Sequence, residues 1–153
     1  MAIRNILKNG DDILRKKSRE VTVFDNRLYQ LLDDLADTMR EANGVGLAAV
    51  QVGILRRVAV VDIGEGLIEL INPVITERSE ETISKDEGCL SFPGEYDIVE
   101  RPKRVTVQTQ DRHGHLVAIT GEDVLARAFC HEIDHMDGIV FKDLVRLTPA
   151  VDR

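Results

Sequence analysis

The clearest periodicity in the chain lies in residues 25–43, where Leu28, Leu31, Leu32, Leu35, Ala36 and Met39 recur at three- and four-residue spacing. That spacing sets the apolar side chains on one stripe of a helix, Asp25 can cap its first free N–H groups, and Gly44 suits its end. The pattern predicts an N-terminal amphipathic helix packed on a core. A second helical pattern starts near Thr120 and Asp123, which fit a capping box, and stops at Gly138, with Val124, Leu125, Ala128, Phe129 and Met136 on one side. Between the two the period changes. Residues 57–62, 67–71 and 104–108 are β-branched or alternating runs punctuated by Gly64, Gly66, Pro73 and Pro102, and they predict short antiparallel strands. Asp111-Arg112-His113-Gly114-His115 reads as a hairpin tip leading into residues 116–119, with both histidines in solvent.

The second helix contains His131-Glu132-Ile133-Asp134-His135, the pattern H-E-x-x-H. At about 100° per residue the two histidines fall one turn apart on one face, a spacing that suits a metal. They share the sector of Val124 and Ala128, whereas Asp123, Arg127, Asp134 and Asp137 take the opposite one, so the imidazoles point inward. Glu132 is next to the first histidine but turned away from it, which suits a general base that never ligates the metal. The bland reading is two core histidines beside a glutamate by chance, against which stands the cost of burying such groups without a task.

Two histidines do not close a metal site. A continuation H-E-x-x-H-x-x-G-x-x-H fails because Phe141 stands where the last histidine belongs, although Gly138 is present. A glutamate from a later helix fails as well, since the ten residues after Asp143 include none. The third ligand is therefore expected upstream, and the chain has only Cys89 and Cys130 to offer as thiols. Cys130 is rotated about 120° from the midpoint of the histidines, toward Arg127 and Asp134. Elimination leaves Cys89, in a Gly- and Pro-bounded stretch, residues 86–94, that suits a short extended piece or loop. Taken alone, Cys89 would serve equally as a small buried hydrophobe.

Residues 44–53, Gly44-Val45-Gly46-Leu47-Ala48-Ala49-Val50-Gln51-Val52-Gly53, are dense in small side chains around a single glutamine. Such a stretch admits close approach of another backbone and can cradle a peptide, or it is a tight helix-to-strand connection with a surface glutamine.

Composition narrows the class. The 153 residues, 43% of them hydrophobic, suffice for one domain over 1–153 with a proper core, and a net charge of −7 argues against a broad nucleic-acid face, so no DNA partner is expected. The local run Arg15-Lys16-Lys17 with Arg19 reads as a solvated loop. No apolar stretch reaches membrane-spanning length and residues 1–5 lack a signal-peptide core, so the expected location is cytoplasmic, with no membrane partner. Two cysteines make no disulfide framework, and a reducing compartment agrees with a thiolate ligand.

Three segments together, Gly44-Val45-Gly46-Leu47-Ala48-Ala49-Val50-Gln51, Glu87-Gly88-Cys89-Leu90-Ser91 and His131-Glu132-Ile133-Asp134-His135, resemble the signature motifs of the peptide deformylases, in the family's order. The resemblance implies an α+β fold, with antiparallel sheets packed around the helix that carries H-E-x-x-H. It implies hydrolytic removal of the formyl group from N-formyl-methionyl nascent peptides, releasing formate. It implies one divalent metal on Cys89, His131 and His135, natively Fe(II) and replaceable by Ni(II), Co(II) or Zn(II). Gln51 and the backbone N–H of Leu90 would hold the oxyanion, and Gly44, Val45 and Gly46 would take the extended peptide, with Val45 and Ala128 near its methionine. Glu87 would orient a histidine or the cysteine loop, or else be a surface acid. Departures from the family pattern are Cys130 in place of a frequent glutamine and Asp12 in place of a frequent proline. The chain also stops soon after Leu147, short of the C-terminal helix with which longer relatives dock on the ribosome, which leaves only transient ribosome proximity expected. A zinc peptidase of another family would share the helix, and a structural metal site would share the ligands but close with a fourth.

The two cysteines give a direct test. Cys89→Ala should weaken metal binding severely, whereas Cys130→Ala should leave metal content and formate release nearly intact, with any loss confined to unfolding stability. Metal titration of both variants, matched for folded fraction by circular dichroism, checks this; equal metal loss in the two contradicts the ligand assignment.

Overall fold

The computed structural model describes residues 2–145. Its elements are α1 (Asn26–Glu41), β1 (Gly46–Ala48), β2 (Val58–Val61), β3 (Ile68–Arg78), β4 (Thr82–Cys89), β5 (Phe92–Pro102), β6 (Arg104–Gln110), β7 (Leu116–Glu122), α2 (Val124–Met136) and α3 (Lys142–Val145), with 3-10 turns at Asp12–Arg15 and Ala49–Val52. The architecture is α+β. One antiparallel sheet runs in the order β1-β2-β3-β6-β7, and β4 and β5 form a separate antiparallel hairpin.

The fully buried strand β2 explains how the layers stack. Val58 and Val60 face Leu28, Leu31, Leu32, Leu35 and Met39 of α1, while Ala59 and Val61 face Ala126, Phe129, Ile133 and Met136 of α2. A strand covered on both faces needs no polar alternation, which is why Val58-Ala59-Val60-Val61 reads as an unbroken apolar run. Each fully buried leucine, such as Leu32 or Leu35, contributes about 1.5–3 kcal/mol.

Helix α1 begins where Asp25 accepts the N–H of Leu28 at 3.2 Å. Its end is made differently from the sequence expectation: Asn43 takes the left-handed conformation (φ 57°) and Gly44 only closes the turn, its N–H donating to Met39 O. The expected capping box of α2 is absent too. Asp123 precedes the helix with φ 54° and makes no side-chain cap, because its carboxylate pairs with Lys103 at 3.1 Å, and Thr120 lies within β7.

Two strand boundaries also differ. Pro73 does not end β3, which continues to Arg78; the ladder slips between Ile71 and Val74, so the missing N–H of proline falls in an irregularity where no bond is required. Residues 86–94 are neither a loop nor a short piece but the ends of two long paired strands meeting at a tight turn at Leu90 and Ser91. Their solvent-facing residues hid the alternation. Residues 146–153, on which the expectation about docking rests, lie outside the described residues.

Gly138 ends α2 with φ 75°, and a Cβ there would collide with the backbone carbonyl of Arg15 in the N-terminal 3-10 turn. Gly138→Ala meets both a strained backbone and a rigid neighbour, so it should cost about 1–3 kcal/mol in urea unfolding. A variant within about 0.5 kcal/mol of the parent would show that this contact constrains nothing.

Candidate metal centre

The last residue of β4 and one face of α2 meet at a single point. Cys89 follows the register slip at Gly88, and its Sγ lies 3.3 Å from His135 Nε2, which in turn lies 3.2 Å from His131 Nε2. All three ligand atoms fall within 4.8 Å of one another. A tetrahedral ion with bonds of about 2.0–2.3 Å separates its ligands by about 3.3–3.6 Å, so a thiolate and two imidazoles spaced in this way fit a divalent metal of borderline softness.

One of the two imidazoles is held from behind, while His135 Nδ1 is buried with no hydrogen-bond partner among the described residues. His131 Nδ1 is 2.7 Å from Glu87 Oε2, and a proton shared there leaves Nε2 with a bare lone pair facing the cluster. Glu87 is buried, not a surface acid, and both of its oxygens are fully engaged. Arg101 grips it through Nε (3.0 Å) and Nη2 (2.6 Å), and Arg127 Nη1 adds a third guanidinium contact at 3.0 Å. Burial pushes the Glu87 carboxyl up, but His131 and Arg101 outweigh it and hold the group far below the usual carboxylate range. Arg101 also reaches Asp134 Oδ2 at 2.6 Å, so the β4–β5 hairpin covers the middle of the polar side of α2, at Arg127 and Asp134, while Asp123 and Asp137 at its two ends stay exposed. Arg127 fixes the same hairpin by donating to Val99 O at 2.8 Å and Ile83 O at 2.7 Å.

Glu132 faces the other way. It is buried, its carboxyl is pushed up to about 7 chiefly by that burial against the opposing influence of His131, and its Oε1 has no hydrogen-bond partner among the described residues. Its Oε2 occupies the space a side chain at position 46 would fill, so Gly46 is what admits it. An orphaned buried carboxyl oxygen on the residue next to His131, one of three donors that could hold a metal, calls for water or a substrate.

Gln51 is buried as well. Its Oε1 accepts the N–H of Ala48 at 2.9 Å, which turns the amide nitrogen toward Ser91 Oγ (3.1 Å) and Cys89 Sγ (3.5 Å). Gln51, Glu132, His131, Cys89, Leu90 and the run Gly44, Val45, Gly46 all line one cavity of about 540 Å³. Ala128 and Tyr96 lie on its walls. A Cβ at Gly44 would sit 2.6 Å from a Leu90 methyl, so a side chain there would push Leu90 aside.

The structure leaves the remaining candidates apart. Cys130 is buried in the core between α2 and the sheet, where burial pushes its thiol up. His113 and His115 are exposed at the tip between β6 and β7, far from the cluster in the chain's topology. What sequence reasoning missed is the pair Arg101 and Asp134 and the inward reach of Arg127. The available signal was an arginine closing the alternating run of β5 opposite the strand that carries Glu87.

A three-donor cluster with an adjacent unligated carboxylate defines a metal-dependent hydrolase site. The sequence profile described as polypeptide deformylase matches residues 3–149. A peptide deformylase of Acetivibrio thermocellus is 56% identical over 145 residues, covering 95% of this chain and 85% of that relative. The crystal structure of peptide deformylase from Thermotoga maritima superposes with a TM-score of 0.94 at 41% identity, covering 97% of this chain and all of that one (100%). A class I type b peptide deformylase from Acinetobacter baumannii, solved with Met-Ala-Ser bound, gives a TM-score of 0.89 at 35% identity over 94% of this chain and 99% of that one. This chain belongs to the polypeptide deformylase family, metal-dependent hydrolases that remove the N-formyl group from nascent peptides. No helix of the described residues is long and apolar enough to cross a membrane.

Glu87→Ala would strand the Arg101 guanidinium in the interior and free His131 to turn. It should cost about 3–5 kcal/mol of stability and weaken metal affinity about 10–100-fold. Unfolding and metal titration read the two effects separately, and unchanged affinity in a folded variant would remove Glu87 from the support of His131.

Proposed function

We propose that residues 1–153 act as one catalytic domain, centred on α2, in which Cys89, His131 and His135 hold the metal and Glu132 is the general base for deformylation of N-formyl-methionyl peptides. The observation that carries this reading is the buried, unpartnered oxygen of Glu132, a residue that lines the same cavity as two of the three donors, Cys89 and His131. A divalent ion on those donors, Fe(II) by family resemblance with Ni(II), Co(II) or Zn(II) as substitutes, would supply Lewis acidity for the formyl carbonyl and for water.

The chain's own groups divide the remaining work. Glu132, with its carboxyl raised toward neutrality, takes a proton from the attacking water as the new C–O bond forms at the formyl carbon. The Gln51 amide, oriented by Ala48 N–H, and the backbone N–H of Leu90 donate to the formyl oxygen as it gains negative charge. Glu132 then hands the proton to the departing amine as the C–N bond breaks, leaving formate and a free N-terminus.

Gly44, Val45 and Gly46 run into β1, an edge strand of the large sheet, so an extended peptide can add to it through main-chain hydrogen bonds. Val45, half exposed on the cavity rim, and Ala128 offer apolar walls to the methionine side chain. The Met-Ala-Ser carried by the Acinetobacter baumannii relative has the form of the product expected here. Nascent chains as substrate place the enzyme in the cytoplasm, in passing proximity to ribosomes.

Glu132→Ala should retain its metal and fold while losing at least about 100-fold in formate release from formyl-Met-Ala-Ser. Near-normal turnover in that variant would take Glu132 out of the mechanism.

A further inference from the structure

Ser91 stands in the tight turn that joins β4 to β5 and is fully buried, a place where a hydroxyl is costly unless it is hydrogen-bonded. Its oxygen accepts the side-chain amide of Gln51 at 3.1 Å. The Gln51 carboxamide has an acceptor end and two N–H hydrogens to place. Oε1 takes the backbone N–H of Ala48 at 2.9 Å, and because a backbone N–H can only donate, this bond fixes which end of the amide is nitrogen. Of the two hydrogens on Nε2, one goes to Ser91 Oγ and the other is left on the side of Cys89 Sγ, 3.5 Å away. Sulfur is a weak acceptor, so that second hydrogen is the one free to pass to a formyl oxygen. Turning the amide to aim elsewhere would break its bonds to Ala48 and Ser91 together.

The main chains of the two residues are held from one N-terminal segment. Leu7 N–H donates to Gln51 O at 2.7 Å, and Asn9 N–H donates to Ser91 O at 2.8 Å. These two anchors tie the 3-10 turn that carries Gln51 to the hairpin turn that carries Ser91. Removing the Ser91 hydroxyl therefore loosens the carboxamide and leaves both backbone anchors in place.

We propose that Ser91 is a positioning residue for deformylation: its hydroxyl holds one N–H of the Gln51 carboxamide so that the other points at the developing oxyanion. The inference rests on the reading of Gln51 as an oxyanion donor. A donor set in advance needs no reorganisation as negative charge develops, so its loss falls on turnover more than on substrate binding. A serine that served stability alone would change the folded fraction and leave the turnover of folded enzyme as it was.

Formate release from formyl-Met-Ala-Ser by the metal-loaded parent, Ser91→Ala, Gln51→Ala and the double variant tells the two roles apart. Gln51→Ala should lower kcat about 100-fold, the lower end for loss of one oxyanion donor. Ser91→Ala should lower kcat about 10-fold with KM within about 2-fold of the parent. In the Gln51→Ala background the same change should lower kcat less than about 2-fold, because the group it positions is gone. The Gln51 side-chain amide signals of isotope-labelled, zinc-loaded protein give a readout apart from turnover: hydrogens slow to exchange with water in the parent and faster in Ser91→Ala. If the alanine variant folds poorly, Ser91→Cys, close in shape and a weaker acceptor, takes its place and should lose turnover only where Gln51 is present. An equal loss from Ser91→Ala in both backgrounds, or no loss in either, overturns the role of Ser91 while Gln51 keeps its own. Unchanged kcat in Gln51→Ala removes the oxyanion donor and its positioning together. Lower metal content in fully folded Ser91→Ala would mean that the serine acts through Cys89, which also overturns the proposal.

Discussion

The interaction on which the rest of this structure depends is the burial of one carboxylate, Glu87, between two guanidinium groups and an imidazole. Left in the interior alone such a charge would be prohibitive, and with any one partner missing it would be costly. Held by Arg101, Arg127 and His131 together, it joins β4, β5 and α2 at the level of Cys89, His131 and His135. The hairpin and the large sheet share no ladder, so this network, the apolar contacts around it and the hydrogen bonds of Gln51 and Asn9 to the hairpin turn fix Cys89 relative to His131 and His135. Neutral packing alone would tolerate sliding of the hairpin along the helix. Bidentate Arg101–Glu87 geometry does not.

The same arrangement separates two kinds of acid on one helix. Glu87 approaches α2 from the hairpin side and is kept ionised by cations, whereas Glu132 lines the cavity and burial raises it toward neutrality against the weaker pull of His131 and Arg101. One carboxylate serves geometry and the other is available to move a proton. Gly46 matters here for the same steric reason as Gly44: a side chain at the first would displace Glu132, and one at the second would displace Leu90. The small residues between α1 and β2 thus shape the site by what they leave open.

Much of this was legible in the sequence because the relevant signals are local. The spacing of His131 and His135, the leucine stripe of α1 and the solitary Gln51 among small residues each depend on a few neighbours along the chain. Elimination reached Cys89 because only two thiols exist. What stayed hidden depends on partners distant in sequence. Arg101 looks like any strand-end arginine until Glu87 is seen fourteen residues earlier on the paired strand. The hairpin itself was missed because its outward face carries Ser84, Asp86 and Glu100 and interrupts the apolar count. The cap of α2 was misread because Asp123 has two competing uses, and pairing with Lys103 prevails.

The central claim is that three side chains brought together by that buried network form one metal site on which hydrolysis depends. The most direct measurement is anaerobic titration of metal-stripped protein with Fe(II) or Ni(II), following bound metal and formate release from formyl-Met-Ala-Ser in the same samples. The account predicts that release rises in proportion to bound metal and levels off at one ion per chain. Release that is unaffected by stripping, or that needs a second ion per chain, would contradict it.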